Sequence, residues 1–134
     1  MGAATVFVAG SIYTQAGRRI GAVLLTYDRA RPYEANMRFL LPGEPPNDWL
    51  IGRDLLIDGR TGLAGMGDVT VAPAPDDRVA VTLRTHNPRE EDTVYVCDRV
   101  VHVFVVAMLS VVPRGAEAQV WDDAELRRLL DGAR

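Results

Sequence analysis

Alternation of apolar and polar positions is clearest over residues 33–41. Tyr33, Ala35, Met37, Phe39 and Leu41 share one face there, and Glu34, Asn36 and Arg38 the other. A period of two over that length predicts a strand half buried against a core. Upstream, residues 4–13 and 20–27 are rich in β-branched and aromatic side chains. The polar stretch Gln15-Ala16-Gly17-Arg18-Arg19 between them predicts a long hairpin. Pro42-Gly43-Glu44-Pro45-Pro46-Asn47 imposes a loop, because successive prolines offer no N–H to a ladder. A short strand over residues 48–51 and one or two helical turns over residues 53–58 follow, with Gly59 placed as a helix C-cap.

Glycines at 62, 65 and 67 predict a turn, then strands over residues 68–71 and 78–85 joined by a turn at residues 73–77. Asn87-Pro88-Arg89-Glu90-Glu91 turns the chain into a strand over residues 93–97. Residues 98–112 are β-branched but too long for an ordinary strand, and they sit between Asp98 as N-cap and Pro113 as stop, so the pattern predicts a mostly buried helix. Residues 122–130 form an amphipathic helical pattern, with Leu126, Leu129 and Leu130 on one face. Strands segregated from helices in this order predict an α+β fold in which antiparallel sheets pack with a long helix and a C-terminal helix. No linker divides residues 1–134, which read as a single domain.

Composition narrows the chemistry. The 134 residues are 48% hydrophobic and 25% charged with net charge −3, which suits one globular core without staples. Cys97 is the single cysteine, so an intramolecular disulfide, a CxxC pair and a thiolate zinc cluster are excluded. Ser11 and Ser110 are the only serines and neither lies in a G-x-S-x-G elbow. Lysine is absent, which removes Schiff-base chemistry and a Walker A loop, and suits a GC-rich coding genome. The N-terminal residues lack a basic region followed by an apolar run, and the apolar segment 100–112 falls short of the roughly 20 residues of a membrane span. A soluble, cytoplasmic protein without catalytic residues, metal or cofactor is the expectation.

Several constellations carry two readings. Gly62-Leu63-Ala64-Gly65-Met66-Gly67-Asp68 resembles a phosphate cradle, but it leads into a strand rather than a helix and reads better as a turn. Asp98 and His102 are one helical turn apart and could form an oriented general base, or simply an N-cap and its neighbour. Asp54 and Asp58 could share a cation, although no third oxygen ligand is evident. Cys97 with a histidine, His86 or His102, is the remaining nucleophile pair, set against an inert thiol. Trp49 reads as core more readily than as a partner anchor; Trp121 is open between the two. Arginine pairs at 18 and 19, 29 and 31, and 127 and 128, with Tyr27 and Tyr33 nearby, suggest a single-strand nucleic-acid groove, against which the acidic balance argues.

Tyr27-Asp28 with Pro32-Tyr33, Trp49 followed by Arg53-Asp54-Leu55-Leu56, Gly65-Met66-Gly67-Asp68-Val69-Thr70-Val71, Val112-Pro113-Arg114-Gly115-Ala116-Glu117 and Asp123-Ala124-Glu125-Leu126 with Leu129-Leu130 keep a common order and spacing. Together they resemble the SsgA-like sporulation and cell-division proteins of actinobacteria. Gly52 stands where that pattern has alanine, Arg31 where it has an acid, and Ala72-Pro73 where it has Trp-Pro. The resemblance implies a whirly-like fold, a trimeric assembly and a non-enzymatic adaptor at the division septum. It also implies that the adaptor recruits the tubulin-like protein FtsZ or another SsgA-like or division protein. A whirly-like single-stranded nucleic-acid binder is the alternative it leaves. Trp49, Arg53, Arg127 and Arg128 are the candidates for a partner surface. The nearly all-apolar helix, with Arg99, Val101 and Phe104, is the candidate subunit interface.

Overall fold

The computed structural model describes residues 5–84 and 91–118. Strands β1 (Thr5–Tyr13), β2 (Arg19–Asp28), β3 (Glu34–Leu40) and β4 (Asn47–Gly52) lead into helix α1 (Arg53–Asp58). Strands β5 (Val69–Ala74), β6 (Arg78–Arg84) and β7 (Glu91–Cys97) then precede helix α2 (Asp98–Val111). One seven-stranded antiparallel sheet, in the order β4-β3-β2-β1-β7-β6-β5, replaces the separate sheets expected. Its two halves meet through just Ile12↔Val96 and Tyr13↔Tyr95.

Register explains the burial. Val23↔Phe39, Leu25↔Met37, Ala35↔Ile51 and Val79↔Val96 are facing pairs whose side chains all point to one buried face. α2 lies on that face against β1, β6 and β7. Val101, Phe104, Val105 and Met108 supply its buried stripe, at i, i+3, i+4 and i+7. Each such side chain, fully buried, contributes about 2 kcal/mol. The opposite face of β1–β4 carries exposed Phe7, Leu40 and Leu50 among polar neighbours.

Local details depart from the sequence reading. Tyr33 precedes β3 and is 54% exposed, so the alternation extends one residue too far. Pro73 lies within β5 opposite Val79, where an edge strand tolerates a missing N–H, and the turn is tightened instead by Asp76 and Asp77 at φ of 63° and 55°. Asp98 is the first residue of α2; Cys97 is the N-cap and makes no side-chain cap bond. Gly59 caps α1 in the right-handed region, φ −68°, so left-handed freedom is not its reason. A Cβ there would collide with the Val71 side chain and stand 2.6 Å from the Leu55 carbonyl oxygen; α1 and β5 touch through the missing side chain. The helix over residues 122–130 and residue 85 of the expected sixth strand lie outside the described residues.

Gly59→Ala is expected to destabilise the fold by about 1–3 kcal/mol through overpacking. Gly62→Ala, with nothing within 4 Å of the added carbon, stays within about 0.5 kcal/mol of wild type. Thermal or urea unfolding reads the contrast.

Candidate functional site

Arg53 begins α1 and turns its side chain inward, at 1% exposure. Its Nη1 donates to the Tyr27 hydroxyl at 3.1 Å and to the Val112 carbonyl at 2.6 Å, and its Nη2 to Glu117 Oε1 at 2.5 Å. The Tyr27 hydroxyl donates onward to the Pro32 carbonyl at 2.9 Å, and Glu117 Oε2 accepts the Gly115 N–H at 2.8 Å. The backbone joins in, as Arg53 N–H donates to the Tyr33 carbonyl. One guanidinium thereby ties the end of β2, the start of α1 and the chain leaving α2. Its Nε is enclosed without a partner among the described residues.

The charges respond as this geometry requires. Burial raises the Tyr27 hydroxyl, against the opposing pull of Arg53. Burial also works to raise Glu117. Its own backbone N–H, Arg53 and the Gly115 N–H prevail and hold the carboxyl below the ordinary range. A buried carboxylate paired to a buried guanidinium with further hydrogen bonds is a structural bond, because removing either partner strands the other charge.

Nearer the surface, arginines occupy the carboxylates that sequence reading set aside for other chemistry. Arg114 reaches Asp58 at 3.0 Å and Asp54 at 3.7 Å, so this carboxylate pair holds a guanidinium rather than a metal ion. Arg60 grips both oxygens of Asp98 at 2.9 Å and holds its pKa down. Asp98 therefore does not orient His102, which stays exposed one turn on. Gly65 adopts φ +98°, as a turn demands, and the loop folds back through the Ala64↔Val71 bridge into β5. Among the described residues, no three His, Cys, Asp or Glu side chains cluster as metal ligands, and no helix is long and apolar enough to cross a membrane.

The candidate interface residues separate. Arg53 is interior and offers no partner surface; its charge is consumed by the network above. Val101 and Phe104, at 1% and 0% exposure, belong to the core of the chain itself and cannot meet a second subunit. Arg99 is exposed on α2, together with Val103 and Val106 at 48% and 50%. Trp49 is half buried against the core, with its indole N–H enclosed and without a partner among the described residues. Arg127, Arg128, Trp121 and His86 lie outside the described residues. Of the residues considered for a nucleic-acid groove, Tyr27 is fully buried and cannot stack on a base, Tyr33 is 54% exposed, Arg19 donates to Ser11 and Arg31 pairs with Glu34. A surface cavity of about 270 Å³ lies at Arg31, Pro32, Tyr33 and Glu34.

Sequence reasoning missed Tyr27 and Glu117 as the partners of Arg53. The available signal was that each sits in a separate stretch of the resemblance, at Tyr27-Asp28, Arg53-Asp54 and residues 112–117.

Among the described residues, an antiparallel sheet packed with two helices and fastened by a buried arginine defines a small α+β protein. Residues 22–117 match the family described as Streptomyces sporulation and cell division protein, SsgA, and the chain belongs to that family. It is 35% identical over 111 residues to the sporulation-specific cell division protein SsgB of Saccharopolyspora erythraea, covering 81% of this chain and 77% of that one. Against SsgB of Streptomyces coelicolor it is 32% identical over 108 residues, covering 79% of each. Among solved structures, the SsgA-like sporulation-specific cell division protein from Thermobifida fusca superposes with a TM-score of 0.78 at 23% identity, over 96% of this chain and 98% of that one. A chain from work linking mutations in SsgB to longitudinal cell division during sporulation of Streptomyces coelicolor gives 0.75 at 24%, over 90% and 99%.

Glu117→Gln keeps the shape and removes the charge. Because the folded carboxyl titrates below its unfolded value of about 4.3, its stabilisation is complete above that pH and disappears as pH falls through the lowered folded value. The variant is therefore expected to be less stable than wild type at pH 7, by about 1–3 kcal/mol. The gap closes as the pH drops below about 4. Urea unfolding across pH checks both halves.

Proposed function

We propose that this protein serves sporulation-linked cell division as a non-catalytic adaptor, helping to localise or recruit the septation machinery, FtsZ or another SsgA-like protein, in the cytoplasm at the septum. Its family membership and the names of its relatives support the division and sporulation role. The observation that carries the adaptor reading is the division of labour between inside and outside. The motif residues Tyr27, Arg53 and Glu117 are spent on one another in the interior, while α2 keeps Val103 and Val106 exposed beside Arg99 and His102. Apolar side chains kept in water on a rigid helix suit docking better than chemistry.

That outer face of α2 is the proposed contact between copies, in a homo-oligomer of which a trimer is the expected form. Val101→Asp would unfold the core and test nothing, so the informative changes are Arg99→Glu and Val103→Glu. Both are expected to lower the mass measured by light scattering while leaving the thermal midpoint within a few degrees of wild type. An unchanged mass rejects this surface.

The recruiting role is read by co-sedimentation with GTP-assembled FtsZ from the same organism, with an unrelated acidic protein as control. Saturable pelleting is the expected result. No pelleting moves the role to an indirect one through another family member.

A further inference from the structure

The two edges of the sheet are finished differently. On β5, Ala64 exchanges both backbone hydrogen bonds with Val71, at 2.8 and 2.9 Å, and Pro73 interrupts the row of donors. The glycine-rich loop thus covers that edge, as proteins commonly do to prevent pairing with a neighbour. β4 has no such cover among the described residues, and it lies at the other end of the strand order.

Which groups β4 leaves free follows from its pairing. Arg53 N–H donates to the Tyr33 carbonyl, and the register runs on through Ile51↔Ala35, Trp49↔Met37 and Asn47↔Phe39. Antiparallel ladders alternate, so those odd residues bond to β3 and the N–H and C=O groups of Asp48 and Leu50, with the N–H of Gly52, point away from the sheet. Charge does not guard them. Asp48 is the only charged residue of the strand, and its carboxylate is turned onto the sheet's outer face, accepting from Arg38 at 2.8 and 3.0 Å and from Asn36 at 3.1 Å. Leu50 beside it is 56% exposed.

We propose that β4 is a self-complementary edge that pairs antiparallel with β4 of a second copy, about a two-fold axis at Leu50. That register sets Leu50 against its own copy as a mutually hydrogen-bonded pair, burying an exposed apolar side chain on its like. It places Asp48 opposite Gly52 of the copy, so the Gly52 N–H donates to the Asp48 carbonyl on each side. The two Asp48 carboxylates stand about 14 Å apart rather than facing each other. An isologous contact of this kind closes after two copies. It requires nothing of α2, and it joins two sheets into one while leaving the α2 outer face open. With an edge of six residues the dimer is a weak, concentration-dependent one.

Cross-linking tests the register directly. In a Cys97→Ser background, Leu50→Cys is expected to form a disulfide-linked dimer on mild oxidation, since facing residues of a hydrogen-bonded pair have Cα atoms about 5.5 Å apart, within disulfide range. Asp48→Cys, whose copies are too far apart, is expected not to. A separate sedimentation series on the wild-type chain and Leu50→Pro, with a circular dichroism melt to establish that the variant folds, reads the edge itself. The Leu50 N–H faces away from β3, so proline there spares the sheet and is expected to weaken dimerisation about tenfold or more, the loss of two backbone bonds. The proposal is overturned if position 50 does not cross-link, or if position 48 cross-links as well. It is equally overturned if a folded Leu50→Pro associates as the wild type does, or if the wild type binds an unrelated extended peptide at this edge in preference to itself.

Discussion

A full positive charge at 1% exposure is the most demanding feature of this chain, and the parts around Arg53 are arranged to meet its demand. Stripping a guanidinium of water costs several kcal/mol unless opposite charge and acceptors replace it. Glu117 supplies the charge and the Tyr27 hydroxyl and Val112 carbonyl supply the acceptors, drawn from chain positions 64, 26 and 59 residues away. Each of these groups is in turn fixed by a bond of its own, Tyr27 to Pro32 and Glu117 to Gly115. The chain beyond α2 is therefore held to the β2 and α1 end of the sheet by electrostatics as well as by the burial of Val112 and the packing of Ala116 against the core.

How far the sequence revealed this depends on the range of the interaction concerned. Periodicity over residues 33–41 and the turn chemistry at residues 15–19 are local, and β1 to β3 appear close to where the pattern places them. The helix from Asp98 is legible because its length and its stop at Pro113 outweigh β-branched propensity. The single sheet is not legible, since the join of β1 to β7 rests on two residue pairs separated by most of the chain. The same holds for the site. Arg53 stood out as a charge beside Trp49 and invited a surface role, and nothing local announces that Glu117, 64 residues on, is its counter-ion. Val101 and Phe104 were misplaced for a related reason: an apolar helix shows that it is buried, but not which of its faces the chain itself covers.

The arginine-only composition makes more sense in this light. Arg53 divides its donors among three acceptors, and Arg60 and Arg38 each grip one carboxylate with two nitrogens. A planar fork does this where an ammonium would not. The carboxylates at 48, 54, 58 and 98 are occupied in this way, while apolar side chains, among them Val103 and Val106 on α2 and Leu50 at the sheet edge, are exposed for outside contacts. Exposed apolar side chains of that kind suit the docking role proposed above.

The dependence of the fold on one buried pair is tested most directly by a double-mutant cycle on Arg53→Met and Glu117→Gln, with all four proteins unfolded in urea at pH 7. If the pair binds the chain end to the core as described, the two changes are strongly non-additive. The double variant then costs less than the sum of the singles by more than about 1 kcal/mol, because neither charge is left stranded. Additivity to within about 0.5 kcal/mol would mean that Arg53 and Glu117 act independently, and the account of the buried network would be wrong.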